Sequence, residues 1–174
     1  MTYRTLPAPI LSGMQRAFSI SMLWEGRAAE KTSEDEIQLL NLVLPKWQRD
    51  TVWTAHQQTQ FIEGIFLGLG TGYYVTNGHD YNDGGCLPMS GWLLDGQQRI
   101  TSIARFIEDA LPIFDGIRYS DLSPADRSRY FDNVVFPSVE LKYVDDEEVL
   151  KTLYRRLNFS GTAHTAADMA RLDG

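Results

Sequence analysis

The sequence is poor in cysteine and histidine, and it has no long apolar run. Cys86 is its only cysteine, which excludes an intramolecular disulfide and a CxxC metal site. His56, His79 and His164 are scattered along the chain, so a structural zinc site is a weak hypothesis. No run is long enough to span a membrane, and the N-terminus lacks the continuous apolar core of a signal peptide. We therefore expect a cytoplasmic protein without membrane partners.

Positive charge is also scarce, since 16 Lys and Arg stand against 23 Asp and Glu, for a formal net charge of −7. This balance disfavours strong non-specific binding to nucleic acid, although it leaves room for a local basic site. With 174 residues, of which 43% are hydrophobic, the chain can form one domain with a sizeable core. We expect a single domain over residues 1–174, with an N-terminal extension over 1–35 and a core over 36–174.

The N-terminal half of the chain predicts two capped helices and one strand. Capping boxes, in which Ser or Thr is followed three residues later by Gln, begin at Ser12 and at Thr54. Residues 37–44 predict a strand that the following proline ends. The helix after Thr54 has apolar residues at helical spacing and ends at Gly68 or Gly70.

The rest of the chain mixes helices and strands without strict βαβ alternation. Strands are predicted at 73–76 and 92–94, and a third strand is interrupted by Pro137. A helix with acidic residues in its first turn and arginines in its last follows from residue 145, and a short final helix is predicted at 165–172. This order predicts an α+β fold.

The stretch from Asp95 to Arg99, with the sequence DGQQR, falls between a buried strand and an amphipathic helix. Asp95 as N-cap and Gln98 three residues later would form a capping box, which explains these two residues without a ligand. Gly96 in a first helical turn costs about 1 kcal/mol relative to alanine. The helix dipole disfavours Arg99 at that position. A phosphate bound to the free N–H groups and to the Arg99 guanidinium would explain both residues.

Two other stretches could contribute to the same site. In "LPKWQRDTVW", Lys46 directly precedes Trp47, and Arg49 lies between Trp47 and Trp53. They fit a surface turn anchored by aromatic side chains best, and they also fit a second cation with an aromatic wall for a base. Asn158 lies at a predicted helix end, where asparagine is common for structural reasons alone.

The order of these motifs resembles a known family. P-x-W-Q-R-D-x-x-W, an amphipathic helix ending in Gly, a hairpin leading to DGQQR-I-T-S-I, and L-N-x-S-G-T follow one another between about Leu42 and about Met169. The pattern is similar to the DGQQR-box domain at the N-terminus of GmrSD-type modification-dependent restriction proteins and of phosphorothioate-sensing SspE-type defence proteins. The resemblance implies a ParB/sulfiredoxin-like fold, a small mixed sheet flanked by helices. Gln97 and Gln98 replace the cysteine that sulfiredoxin chemistry requires.

The resemblance also implies a function and a set of residues. It implies binding and hydrolysis of a nucleoside triphosphate with Mg²⁺, linked to DNA restriction, to defence or to phage counter-defence. The catalytic residues it implies are Asp95, Gln97, Gln98, Arg99 and Arg49. The nucleotide-binding residues it implies are Gly96, Gln48, Arg49, Arg99, Thr101 and Asn158. Asp95 would also bind the metal ion.

Alternatives to an NTPase remain open. The larger proteins carry an HNH-type nuclease region after this domain, whereas this sequence shows no His-rich nuclease motif before Gly174, so we expect a standalone domain. A ParB-like nuclease that nicks DNA could use the same two arginines to hold a DNA phosphate. A non-catalytic regulator could bind nucleotide, DNA or a defence protein. Homo-oligomerisation is compatible with each of these functions.

Overall fold

The computed structural model describes residue 9 and residues 11–158, which form an α+β architecture and confirm the predicted fold class. The helices are α1 Met22–Glu25, α2 Ala55–Phe66, α3 Gln97–Ile107, α4 Pro124–Arg127 and α5 Glu147–Asn158. The strands are β1 Gly13–Ser19, β2 Ile37–Leu39, β3 Leu42–Leu44, β4 Tyr74–Thr76, β5 Tyr81–Asn82, β6 Gly85–Cys86, β7 Leu93–Asp95 and β8 Val135–Leu141. None of the helices in this part of the chain is long and apolar enough to cross a membrane.

Four strands form one mixed sheet, in the order β1–β8–β4–β7. β8 pairs with β1 antiparallel and with β4 parallel, and β4 pairs with β7 antiparallel. Two short hairpins, β2–β3 and β5–β6, lie outside this sheet. β7 is therefore an edge strand of this sheet.

Alternate side chains of β4 and β7 pack into two hydrophobic clusters. Tyr74 and Leu93 belong to a cluster with the apolar faces of α2 and α3. Val75 and Leu94 belong to a second cluster with α5 and with two buried tryptophans. The alternation follows from the period of two along a strand, and it places helices on both sides of the sheet.

Three of the local predictions differ from the structure. The helix predicted at Ser12 is wrong, because residues 13–19 form β1 and pair with β8. Pro137 does not interrupt β8, since pairing with β4 begins only at Ser138. The single strand predicted over 37–44 is a hairpin instead, with Leu40 in a left-handed conformation at φ 52°.

The helix predicted after Thr54 is confirmed, with both hydrogen bonds of its capping box present. Leu67 is its C-cap. Gly68 follows in a left-handed conformation, with φ +74°, which is typical of a glycine that ends a helix. The helix predicted from residue 145 is α5, whose first-turn N–H groups of Glu148 and Val149 are capped by Asp146. The helix predicted at 165–172 lies outside the described residues.

Candidate functional site

The turn between β7 and α3 positions the DGQQR residues. Asp95 is the last residue of β7, and Gly96 is the N-cap of α3 with φ +104°, so the prediction that Asp95 caps the helix is wrong. A Cβ on Gly96 would lie 2.6 Å from Cβ of Tyr74. Glycine is therefore required by the left-handed backbone and by the close approach of β4, without reference to a ligand.

The Gln98 side chain connects α3 to a distant segment. Its Oε1 accepts hydrogen bonds from the backbone N–H groups of Val52, at 2.9 Å, and Trp53, at 3.0 Å. The predicted capping box with Asp95 is thus also wrong, because the amide oxygen pairs with backbone 45 residues away rather than with its own helix. Gln98 holds the segment that enters α2 against the first turn of α3.

The Arg99 guanidinium makes two hydrogen bonds to residues close to this turn. One terminal nitrogen donates to Asp95 Oδ2 at 2.9 Å and to the carbonyl oxygen of Tyr73 at 2.8 Å. The carboxylate one turn earlier compensates the cation at the unfavourable end of the helix dipole. The Arg99 Nε is buried and has no hydrogen-bond partner among the described residues.

These residues line a cleft of about 370 Å³, called here the α3 cleft. Its lining consists of Gln48, Arg49, Trp53, Tyr73, Leu94, Asp95, Gly96, Gln97, Gln98, Arg99, Tyr154, Leu157 and Asn158. The N-cap of α3, Gly96, has no side chain to cap the first turn, and the Ile100 N–H group donates to Gly96 O at 3.0 Å. The three residues before Ile100, whose N–H groups have no acceptor within the helix, line the cleft together with Arg49 and Asp95, a composition that suits an anion.

Most of the residues predicted for the site lie together in this cleft. Gln48 and Arg49 come from one segment and Asn158 from another, and all three line the cleft together with the DGQQR turn. Thr101 is one turn further along α3 and does not line the cleft. Lys46 lies outside it and pairs with Asp35 at 3.7 Å.

The sequence alone did not indicate four residues of the cleft wall. Tyr154 and Leu157 come from α5, Tyr73 precedes β4, and Leu94 belongs to β7. Tyr154, Leu157 and Asn158 share one helical face by their spacing, so Asn158 could have pointed to the other two. No local pattern marks Tyr73, whose carbonyl oxygen reaches Arg99 only through the fold.

The contacts of Gln98 predict that its side chain contributes more to the free energy of unfolding than that of its neighbour Gln97. Gln98→Ala would leave the N–H groups of Val52 and Trp53 without their acceptor, so we expect a loss of about 1–3 kcal/mol in the free energy of unfolding. Gln97→Ala is the matched control, since Gln97 is half-buried in the cleft wall on the same turn and should lose less than about 0.5 kcal/mol. Urea unfolding of both variants measures the difference, and equal losses would contradict the anchoring role.

Comparison with known proteins assigns the chain to a family. Residues 30–130 match the family model of the GmrSD restriction endonuclease, N-terminal domain. The match covers more than half of the 174 residues and includes α2, the DGQQR turn and α3. The chain therefore belongs to the family of GmrSD restriction endonuclease N-terminal domains, which confirms the resemblance and its link to DNA restriction. Searches of curated proteins and of solved structures found no match.

Proposed function

We propose that the α3 cleft binds a nucleoside triphosphate, with its phosphates at the first turn of α3. The observation that carries the proposal is the N-terminus of α3, where Gly96 provides no capping side chain and where Arg49 and Arg99 line the same cleft. Unpaired N–H groups and the helix dipole attract phosphate, and arginine forks pair with its oxygens. The cleft volume, about 370 Å³, falls within the range of sites for small organic ligands.

Hydrolysis of the nucleotide would use side chains that line the cleft. Gln97 orients a water molecule whose oxygen attacks the γ-phosphorus while the bond to the bridging β–γ oxygen breaks. This step releases a nucleoside diphosphate and inorganic phosphate, and the proton of the water passes to the phosphate product or to solvent. Arg49 and Arg99 neutralise the charge that develops on the transferred phosphoryl group. Gln98 is the poorer choice for the water, because its amide oxygen is taken by Val52 and Trp53.

A magnesium ion fits this arrangement if the nucleotide supplies most of its ligands. Within residues 11–158 no group of three or more His, Cys, Asp or Glu is placed to hold a metal ion. Asp95 is the one carboxylate among the described residues of the cleft lining, and it would bind Mg²⁺ directly or through water. Bound Mg²⁺ would neutralise part of the phosphate charge.

The family sets the biological context of this activity. As a domain of the GmrSD restriction endonuclease family, the chain would use nucleotide binding or hydrolysis to control the restriction of DNA, in defence or in phage counter-defence. Its partners would then include DNA or a DNA-processing protein. A single carboxylate in the described lining and a net charge of −7 favour this role over independent nicking of DNA.

Calorimetric titration with ATP, GTP, CTP and UTP in the presence of Mg²⁺ tests the proposal. We expect at least one of them to bind at a single site per chain and to release phosphate in a turnover assay. Binding without phosphate release would support a non-catalytic regulator instead. Absence of binding by all four, together with Mg²⁺-dependent plasmid nicking that Asp95→Ala abolishes, would replace the proposal with the nuclease.

A further inference from the structure

Two buried polar atoms in the α3 cleft have no hydrogen-bond partner among the described residues. One is Oε1 of Gln48, a side chain that is only 7% exposed, and the other is Nε of Arg99. Both residues line the cleft. A third such atom, Nε1 of Trp47, belongs to a residue outside the lining. Buried polar groups are nearly always paired in native proteins, so two unpaired atoms in one cleft point to a bound partner.

The hydrogen bonding of Gln48 fixes which end of its amide is left unpaired. The Nε2 group donates to the carbonyl oxygen of Leu93 in β7. A carbonyl oxygen can only accept, so the NH₂ group must be the end that faces β7, and the amide oxygen is the end left over. Gln48 therefore presents an acceptor to the ligand, while Arg99 Nε presents a donor.

The two atoms require different groups on one ligand. Phosphate oxygens are acceptors at neutral pH and suit Arg99 Nε, but they cannot pair with the Gln48 amide oxygen. Gln48 needs an N–H or O–H group, which the fully ionised Mg²⁺ complex of inorganic triphosphate lacks. An internal phosphate of DNA is also a poor match, since both adjoining deoxyribose hydroxyls are esterified and only a base could supply the donor. A nucleoside triphosphate carries both kinds of group, on its sugar and on its base.

We propose that Gln48 is a specificity-determining residue, whose amide oxygen accepts a hydrogen bond from an N–H or O–H group of the nucleoside. This inference rests on the proposed binding of a nucleoside triphosphate and adds which part of it is recognised. Gln48 then selects nucleotides over inorganic triphosphate, while the first turn of α3 and the arginines bind the phosphates common to both. Leaving a buried acceptor unpaired is unfavourable, so a ligand without a donor is penalised.

The test compares two ligands on the same protein, which cancels effects of a substitution on folding. The affinity for the tightest-binding of the four nucleoside triphosphates is divided by the affinity for inorganic triphosphate, both measured by calorimetry with Mg²⁺. We expect this ratio to exceed about tenfold in the wild type and to fall by about 2- to 12-fold in Gln48→Met, the range for one neutral hydrogen bond. The matched control is Gln60→Met, an exposed position of α2 outside the cleft, whose ratio should equal that of the wild type.

The outcomes separate this inference from the proposed function. If the wild type binds inorganic triphosphate as tightly as the nucleotide, or if Gln48→Met keeps the wild-type ratio, the role of Gln48 is overturned and phosphate binding survives. If the wild type binds neither ligand, both proposals fail. The 2′-deoxy and 3′-deoxy nucleotides locate the donor: a weaker affinity for one assigns it to that hydroxyl, and unchanged affinity for both assigns it to the base.

Discussion

Replacing Arg99 with alanine is expected to weaken the binding of a nucleoside triphosphate by about 10- to 150-fold, since hydrogen bonds to charged groups contribute about 1.5–3 kcal/mol. The Arg99 side chain is 25% exposed, and its buried Nε has no partner among the described residues, so a phosphate oxygen would complete its hydrogen bonding. Calorimetric titration of Arg99→Ala beside the wild type measures the change. A variant that folds and binds nucleotide as the wild type does would contradict the assignment.

The controls separate a loss of binding from a loss of structure. Arg129 is exposed, lies outside the cleft and contacts the Tyr130 ring, so Arg129→Ala removes an equal charge and should leave the affinity unchanged. Because Arg99 also donates to Asp95 and Tyr73, urea unfolding must show that Arg99→Ala remains folded under the conditions of the titration. Arg99→Lys keeps the charge without the fork of donors, so we expect an intermediate affinity.

The first turn of α3 contacts both connections of α2. Gln98 holds the backbone of Val52 and Trp53, just before α2, and Arg99 holds the backbone of Tyr73, in the segment that returns from it. A ligand on this turn would therefore bind to the same residues that fix both ends of α2. This gives the proposed nucleotide site a direct physical link to a neighbouring element, which a nucleotide-controlled domain requires.

Capping patterns show where sequence reasoning works for this fold and where it fails. The same spacing, a capping residue followed three residues later by Gln, begins at Ser12, Thr54 and Asp95. Only the pattern at Thr54 forms a capping box, because no distant partner competes for those side chains. Residues 13–19 pair with a strand more than a hundred residues later, and Gln98 pairs with the segment before α2. Local spacing does not reveal these long-range contacts.

The grouping of the DGQQR residues at one turn was easier to predict than the strand pairing around it. The DGQQR residues are contiguous, so locating one strand-to-helix turn located five residues of the cleft wall. The sequence did not explain why Gly96 and Arg99 occupy their positions. Both have structural explanations, which the contacts with Tyr74 and Asp95 provide. The two unpaired atoms of Gln48 and Arg99 could not be inferred from sequence, because burial and pairing are properties of the assembled cleft.

Replacing Gly96 with alanine is expected to lower the free energy of unfolding by about 2–4 kcal/mol, because two unfavourable effects add. The residue has φ +104°, a conformation that strains any side chain with a Cβ. The new methyl group would also lie 2.6 Å from Cβ and 3.2 Å from Cα of Tyr74. These atoms belong to a central strand, so relieving the contact means moving backbone rather than turning a flexible side chain. Urea unfolding of the purified variant gives the loss directly.

A second glycine separates the two effects on Gly96. Gly116 has φ +122°, and a Cβ there would meet nothing within 4 Å, so Gly116→Ala introduces backbone strain alone. We expect Gly116→Ala to lose about 1–2 kcal/mol, and the excess loss in Gly96→Ala then measures the contact with Tyr74. Equal losses would mean that β4 yields to the methyl group, and the close approach would no longer explain why glycine precedes α3. Because Tyr74 packs against Phe136 with ring centroids 4.9 Å apart, we expect β4 not to yield.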